Sequence, residues 1–397
     1  MKFNHFIFGI IGLGVFTFVG YKAPDIKLDG LIAINQKSEA ETSLIESDVE
    51  AKVEVEEEPK KVASHIETPD SMKAVYMTSW VAGTPSIRNS VISLVERTEV
   101  NSIIIDIKDY TGKVAFQIDD EVIQEIGSTE NRIRDIESLI EELHSKNIYV
   151  IGRVAVFQDP HIVKVWPEEA VKKASDKNSV WKDRKGISWI DAGSERVWDY
   201  TYRIAKGSYD LGFDEINFDY IRFPSDGDMK DIYYPVSEGK VKSEVMNSFY
   251  TFIGDKLRAD GIPSSADLFG MTTTNTDDLN IGQILEDGLR NFDYVCPMVY
   301  PSHYPDTWHG FPKPAEVPYD VVYIAMKSAV DRAIAIGKSA ENLRPWIQDF
   351  NLGATYTADM VRAQITATYD AGIDSWLIWD PANTYTEKAL EPSEAGN

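Results

Sequence analysis

The sequence predicts a (β/α)8 TIM barrel, and three observations predict it. Between residues 72 and 390, eight short runs rich in β-branched and aromatic residues alternate with longer amphipathic stretches. Eight strand–helix units in about 320 residues is the arithmetic of this fold. Many of the amphipathic stretches stop at a glycine, as in Leu211-Gly212, Asp260-Gly261, Ile336-Gly337 and Ala371-Gly372, and glycine is a good left-handed C-terminal cap. The doubly wound sheet is the competing architecture. With no Gly-x-Gly-x-x-Gly and no Walker loop, nucleotide binding has no support.

The strands are expected at 74–80, 102–106, 149–154, 215–219, 264–268, 294–300, 344–349 and 376–380. Helices are expected at 87–97, 133–146, 195–211, 241–259, 318–336 and 358–371. Two long insertions, 226–241 and 301–317, fall at the predicted mouth and hint at an open cleft.

Two stretches of different composition precede the barrel. Residues 6–20 carry no charge and follow a single lysine. Their length suits the apolar region of a signal peptide and is a little short for a membrane span. No clear Ala-x-Ala cleavage site follows, so 1–21 reads equally as an export signal or an uncleaved membrane anchor. Residues 22–72 hold 13 acidic groups and 6 lysines, with no tryptophan and no phenylalanine. Such a stretch cannot bury enough apolar area to offset its ordering entropy, and a disordered acidic linker is expected over 22–71. A short C-terminal tail, 391–397, follows the barrel. The location expected from this layout is extracytoplasmic, either secreted or anchored to the cell membrane by the N-terminal segment.

Composition excludes several functions. The chain of 397 residues has 40 Lys+Arg against 64 Asp+Glu, a net charge of −24. A balance this acidic repels phosphate backbones, so nucleic acid is not an expected partner. Cys296 is the only cysteine, which removes internal disulfides and cysteine-based metal sites. Six histidines without a His-x-His or His-Glu-x-x-His pair give no metallohydrolase pattern. No metal and no cofactor are expected.

The chemistry collects at the strand ends, where this fold places active groups. In the fourth strand, alternation sends Ile216 and Phe218 to the helices and turns Glu215, Asn217 and Asp219 inward. The fifth strand repeats the pattern, with Ser265 and Asp267 inward. Two carboxyl groups flanking one bond are what glycoside hydrolysis needs. Adjacent strands set such groups roughly 5 Å apart, the separation of a retaining mechanism. Asp219 is then the nucleophile and Asp267 the acid/base. The alternative for either aspartate is a helix cap or an ion pair with Arg222 or Arg153. Asp349, at the end of the seventh strand, substitutes if Asp267 is structural. Asp106, Arg153, Arg222 and Gln348 are further polar candidates for substrate binding, with Arg153 either orienting a carboxylate or making a structural ion pair.

Trp80, Tyr110, Tyr220, Tyr300, Trp346 and Trp379 also fall at or near expected strand ends, where a sugar's C–H face can stack on them. Each taken alone is better explained by core packing, whereas six together at one face are too many for packing alone. His303, on the loop after the sixth strand, is either a hydrogen-bond partner for a sugar hydroxyl or an ordinary loop histidine.

Four strings carry a family resemblance: Phe-Asp219-Tyr-Ile-Arg222-Phe-Pro224, Ser-Ala-Asp267-Leu-Phe-Gly270, Pro297-Met-Val-Tyr-Pro-Ser-His303-Tyr and Arg344-Pro-Trp-Ile-Gln-Asp349-Phe. With them, residues 73–381 resemble a bacterial family of predicted glycoside hydrolases, distantly akin to the α-amylase-like TIM barrels. The resemblance implies an often exported (β/α)8 hydrolase acting on a carbohydrate. In α-amylase-like enzymes the nucleophile is an aspartate after strand four and the acid a glutamate after strand five. Asp219 matches the first role by position, whereas Asp267 departs from the second by residue type. The expected function is therefore a glycoside hydrolase cleaving a poly- or oligosaccharide. The alternative is a non-catalytic carbohydrate-binding barrel using the same aromatic residues.

Overall fold

The computed structural model describes residues 63–393. The apolar segment at 6–20, most of the acidic stretch and the last four residues lie outside the described residues. Eight parallel strands close into one barrel in sequence order. They are β1 (Lys73–Met77), β2 (Ser102–Lys108), β3 (Tyr149–Ala155), β4 (Glu215–Asp219), β5 (Ser264–Phe269), β6 (Tyr294–Met298), β7 (Trp346–Gln348) and β8 (Trp376–Trp379). All eight fall where the β-branched runs place them. Strands β1 and β6 stop short, so Trp80 lies on a short helix, Ser79–Ala82, beyond β1 and Tyr300 on the loop beyond β6.

One longer helix follows each of the first seven strands: α1 (Pro85–Arg97), α2 (Ile136–Ser145), α3 (Glu195–Asp210), α4 (Lys242–Ala259), α5 (Leu285–Asn291), α6 (Pro318–Ala335) and α7 (Ala358–Asp370), with three short helices, Ser79–Ala82, Glu121–Ile126 and Ile162–Val165, on the loops after β1, β2 and β3. Among the described residues after β8 the chain makes only a single 3-10 turn, Glu387–Ala389. Helix α5 was not expected, and Gly288 is the reason. A Cβ there would sit 3.1 Å from Leu268 and 3.2 Å from Val295. Close packing on β5 and β6 therefore takes a residue that breaks helical periodicity in the sequence. Glycines 212, 261, 337 and 372, just past four helix ends, all have positive φ, as the left-handed cap requires. Among the described residues no helix is long and apolar enough to cross a membrane.

Two layers fill the molecule. A large cluster of aliphatic and aromatic side chains lies between strands and helices, and a smaller one, including Ile104, Ile151 and Cys296, fills the barrel itself. Residues 63–72 lie across the underside. Ile66 N donates to Asp214 Oδ1 at 2.9 Å, and Thr68 Oγ1 is 3.0 Å from the Tyr149 hydroxyl. Above that strap, Arg344 donates to Glu215 Oε2 at 2.8 Å, with both side chains essentially sealed. The underside is thus held by polar ties around a closed apolar plug.

A register shift between Asp106 and Lys108 marks a β-bulge in β2. It brings Lys108 to Asp159, and Nζ meets Oδ2 at 2.6 Å with neither side chain exposed. Removing one partner strands the other charge out of water. Lys108→Met is expected to lower unfolding free energy by about 3–5 kcal/mol in urea denaturation.

Candidate active site

At the carboxyl end of the barrel, one buried guanidinium organises three aspartates from neighbouring strands. Strand pairing aligns Asp106 with Arg153 and Arg153 with Asn217, and alternation turns all three side chains into the barrel. Arg153 Nη1 donates to Asp106 Oδ1 at 2.7 Å, and Nη2 donates to Asp219 Oδ2. Its Nε lies 3.8 Å from Asp267 Oδ2. The surrounding carboxylates hold the guanidinium pKa above its usual range against the effect of burial. The Arg153 guanidinium lies 5.7 Å from the Tyr76 ring and 5.2 Å from the Trp379 ring. Those two rings stack at 4.0 Å, and the Tyr76 hydroxyl donates to Asp106 Oδ2 at 2.5 Å.

Asp267 is the most perturbed carboxyl of the group. Asn217 Nδ2 and Trp346 Nε1 both donate to its Oδ1, at 2.9 and 2.7 Å. The oxygen left to carry a proton is therefore Oδ2. Burial, with the nearby Asp219 charge, pushes the Asp267 carboxyl up to about 8. It is 1% exposed against 7% for Asp219, so it sits deeper in the barrel. Two buried polar atoms without a partner among the described residues, Arg153 Nε and Asn217 Oδ1, belong to the same cluster. Such orphans concentrate where a structure serves chemistry rather than stability. The Trp346 donor favours the ionised form, so its loss raises the Asp267 pKa further. Trp346→Phe should accordingly move the alkaline limb of a pH–rate profile to higher pH.

Asp219 is fixed by its own backbone. The next residue, Tyr220, takes φ of 53°, a left-handed conformation that is uncommon for a bulky side chain. In it, Tyr220 N donates to Asp219 Oδ1 at 2.6 Å. One carboxylate oxygen is thus held by backbone and the other by Arg153, which locks the side chain. Strain of this kind persists only where the surroundings over-determine it. The pairing of Asn217 with Ser265 and Phe218 with Ala266, carried one residue further, sets Asp219 beside Asp267. Strand spacing is then about 4.8 Å.

Around this centre the structure gathers most, though not all, of the residues that the sequence nominated. Trp346 and Trp379 meet edge to face at 5.6 Å. Tyr300 is buried with its hydroxyl in the field of Asp267, Asp219 and Arg153. His303 packs edge-on to Tyr300 at 5.2 Å, and burial pushes its pKa down to about 4, leaving a neutral imidazole. Arg222 lies 5.3 Å from the Tyr220 ring. Asp349 stands apart, because its oxygens accept from Thr386 N and Oγ1, both at 2.7 Å, and so pin the loop after β8. Gln348 is fully buried and ties two loops by accepting from Ser302 N and donating to the Phe350 carbonyl. Trp80 is 55% exposed on a short helix, Ser79–Ala82, with the Arg132 guanidinium 4.4 Å from its ring.

Tyr76 and Asn217 were not nominated. Alternation turns Asn217 inward without giving it a role, and the same rule applied to β1 turns Tyr76 inward. The insertion after β3, residues 156–194, was also missed. It carries Trp189, whose ring meets Tyr220 at 5.8 Å. Its sequence mixes charges, glycine and tryptophan without a period, so it gives no loop signal.

Among curated proteins, none matches this chain in sequence. A hypothetical protein from Ruminiclostridium thermocellum is 34% identical over 49% of this chain and 96% of its own, with a TM-score of 0.44. The PgaB (BpsB) glycoside hydrolase domain from Bordetella bronchiseptica is 12% identical, covering 81% of this chain and 99% of its own, with a TM-score of 0.57. Alpha-L-fucosidase isoenzyme 2 from Paenibacillus thiaminolyticus is 13% identical over 80% of this chain and 48% of its own, at 0.54. At those identities the last two likenesses speak for the barrel alone. Residues 74–385, which run from β1 past β8 and include every group of the Arg153 cluster, match the family described as "Putative glycosyl hydrolase domain", and the chain belongs to that family.

Proposed function

We propose that this glycosyl hydrolase cleaves a poly- or oligosaccharide by a retaining mechanism, with Asp219 as nucleophile and Asp267 as acid/base. The observation that carries the reading is the unequal pair, one aspartate ion-paired to Arg153 and its neighbour pushed up to about 8. Two carboxyl groups whose surroundings separate their titration are the pattern of acid/base division of labour. In the first step Asp267 gives its proton to the leaving oxygen while Asp219 attacks the anomeric carbon. In the second, Asp267 takes a proton from water, which displaces Asp219. Arg153 holds the nucleophile, and the partly exposed Trp379 offers an apolar face to the sugar, while Trp346 and Tyr300 are buried behind it.

The test is reducing-sugar release on a panel of α- and β-linked glycans, with the first-formed anomer followed by NMR. Retention supports the mechanism and inversion rejects it. Saturable glycan binding without any release would instead favour a non-catalytic carbohydrate-binding barrel. We also propose an extracytoplasmic location, secreted or membrane-anchored, on the apolar run at 6–20. Cell fractionation checks it, and a wholly cytoplasmic protein would reject it.

A further inference from the structure

A second arginine at the mouth lacks the partners that Arg153 has. Arg222 is 9% exposed, and its guanidinium sits among three rings: Phe269 at 4.6 Å, Trp189 at 5.0 Å and Tyr220 at 5.3 Å. Its Nη1 donates to the Phe223 carbonyl at 3.2 Å and to Ser225 Oγ at 3.1 Å. Among the described residues no carboxylate lies within ion-pair reach, Asp219, Asp226 and Asp183 acting on the guanidinium only through their more distant charges, and Nε and Nη2 have no hydrogen-bond partner. Burying a cation with no counter-charge in contact is costly. The aromatic faces compensate in part, while desolvation still lowers the arginine's pKa. A planar guanidinium with a free edge is shaped to take a carboxylate through two parallel hydrogen bonds.

A separate observation gives the same sign. Residues 170–186, within the insertion after β3, hold six cations and two aspartates, a net +4 in a chain of net −24. This stretch supplies Lys185, which is exposed and whose charge is felt at His303. Lys185, four residues before the Trp189 that packs on Arg222, thus adds its charge at the mouth, whereas Lys177 of the same stretch pairs with Glu238. One buried cation beside the Asp219 carboxylate suits a single negative charge better than a dianion.

We propose that Arg222 binds a carboxylate carried by the sugar, so that the substrate is an acidic glycan built with uronic-acid or similarly carboxylated units. This rests on the reading of the mouth as a glycan site. Trp189, packed on Arg222, makes intrinsic fluorescence a reporter. The full chain would be titrated with D-glucuronate, D-glucose, D-glucosamine and D-glucose 6-sulfate at matched ionic strength. Glucuronate is expected to bind about tenfold more tightly than glucose or glucosamine, and more tightly than the sulfate ester.

Arg222→Met should abolish that preference, with the melting curve checking that it folds. Lys185→Glu, on an exposed side chain, should weaken glucuronate a few-fold through its field alone. Equal binding of glucuronate and glucose, a preference for glucosamine or the sulfate ester, or a preference that survives Arg222→Met would overturn the proposal. Hydrolysis of neutral glycans without a glucuronate preference would sink this inference and leave the glycosidase. A preference lost in Arg222→Met, without hydrolysis of any glycan, would do the reverse.

Discussion

Asp219→Asn is expected to cut turnover by about 10⁴-fold or more, with little change in KM. The amide is nearly the same size, so Tyr220 N can still donate to Oδ1 and the left-handed turn keeps its support. The charge that attacks the anomeric carbon is gone. Arg153 also loses one of the two carboxylates it grips directly, yet its charge stays compensated by Asp106. The variant should therefore fold with nearly unchanged melting temperature. That separates a catalytic from a structural role, since a structural aspartate would cost stability and spare the rate. Initial rates beside a thermal melt decide the matter, and a variant with more than a tenth of the parent rate would rule out Asp219 as nucleophile.

The second large effect concerns Asp267→Asn and depends on the leaving group. A general acid typically contributes about 10²–10⁴-fold. The loss should be full on a natural glycoside and small on an aryl glycoside whose phenolate leaves without help. The pH profile carries the sign. The acid works only while protonated, and burial beside Asp219 raises its pKa to about 8. Activity of the parent should hold through neutral pH and fall as pH rises past about 8. In the Asp267→Asn variant the alkaline limb should vanish from the residual rate on the aryl substrate. An unchanged limb would assign it to another group.

Much of this site was legible in the sequence because strand alternation is a rigid rule. Once 215–219 and 264–268 are read as strands, the inward direction of Asp219 and Asp267 follows without further information. What alternation cannot give is the partner across the barrel. That Arg153 rather than Arg222 grips Asp219 depends on which strands adjoin and in what register, and neither is written locally. Asp349 shows the limit plainly: it stands at a strand end like the others, but the loop after β8 claims it through Thr386. The bulge that redirects Lys108 is equally invisible, because one inserted residue leaves no mark on composition.

The two ends of the barrel divide their labour, which bears on how far this protein can be altered. At the underside, strap 63–72, Asp214, Tyr149 and the Glu215–Arg344 pair form ties. At the mouth, Arg153, Asp219 and Asp267 hang on strand ends and on long insertions. Among the described residues the hydrogen bonds and ion pairs of one group are not shared with the other. Substitutions that reshape substrate choice should thus combine additively with substitutions that raise melting temperature. A laboratory lineage selected for new specificity could borrow its stability entirely from the opposite pole.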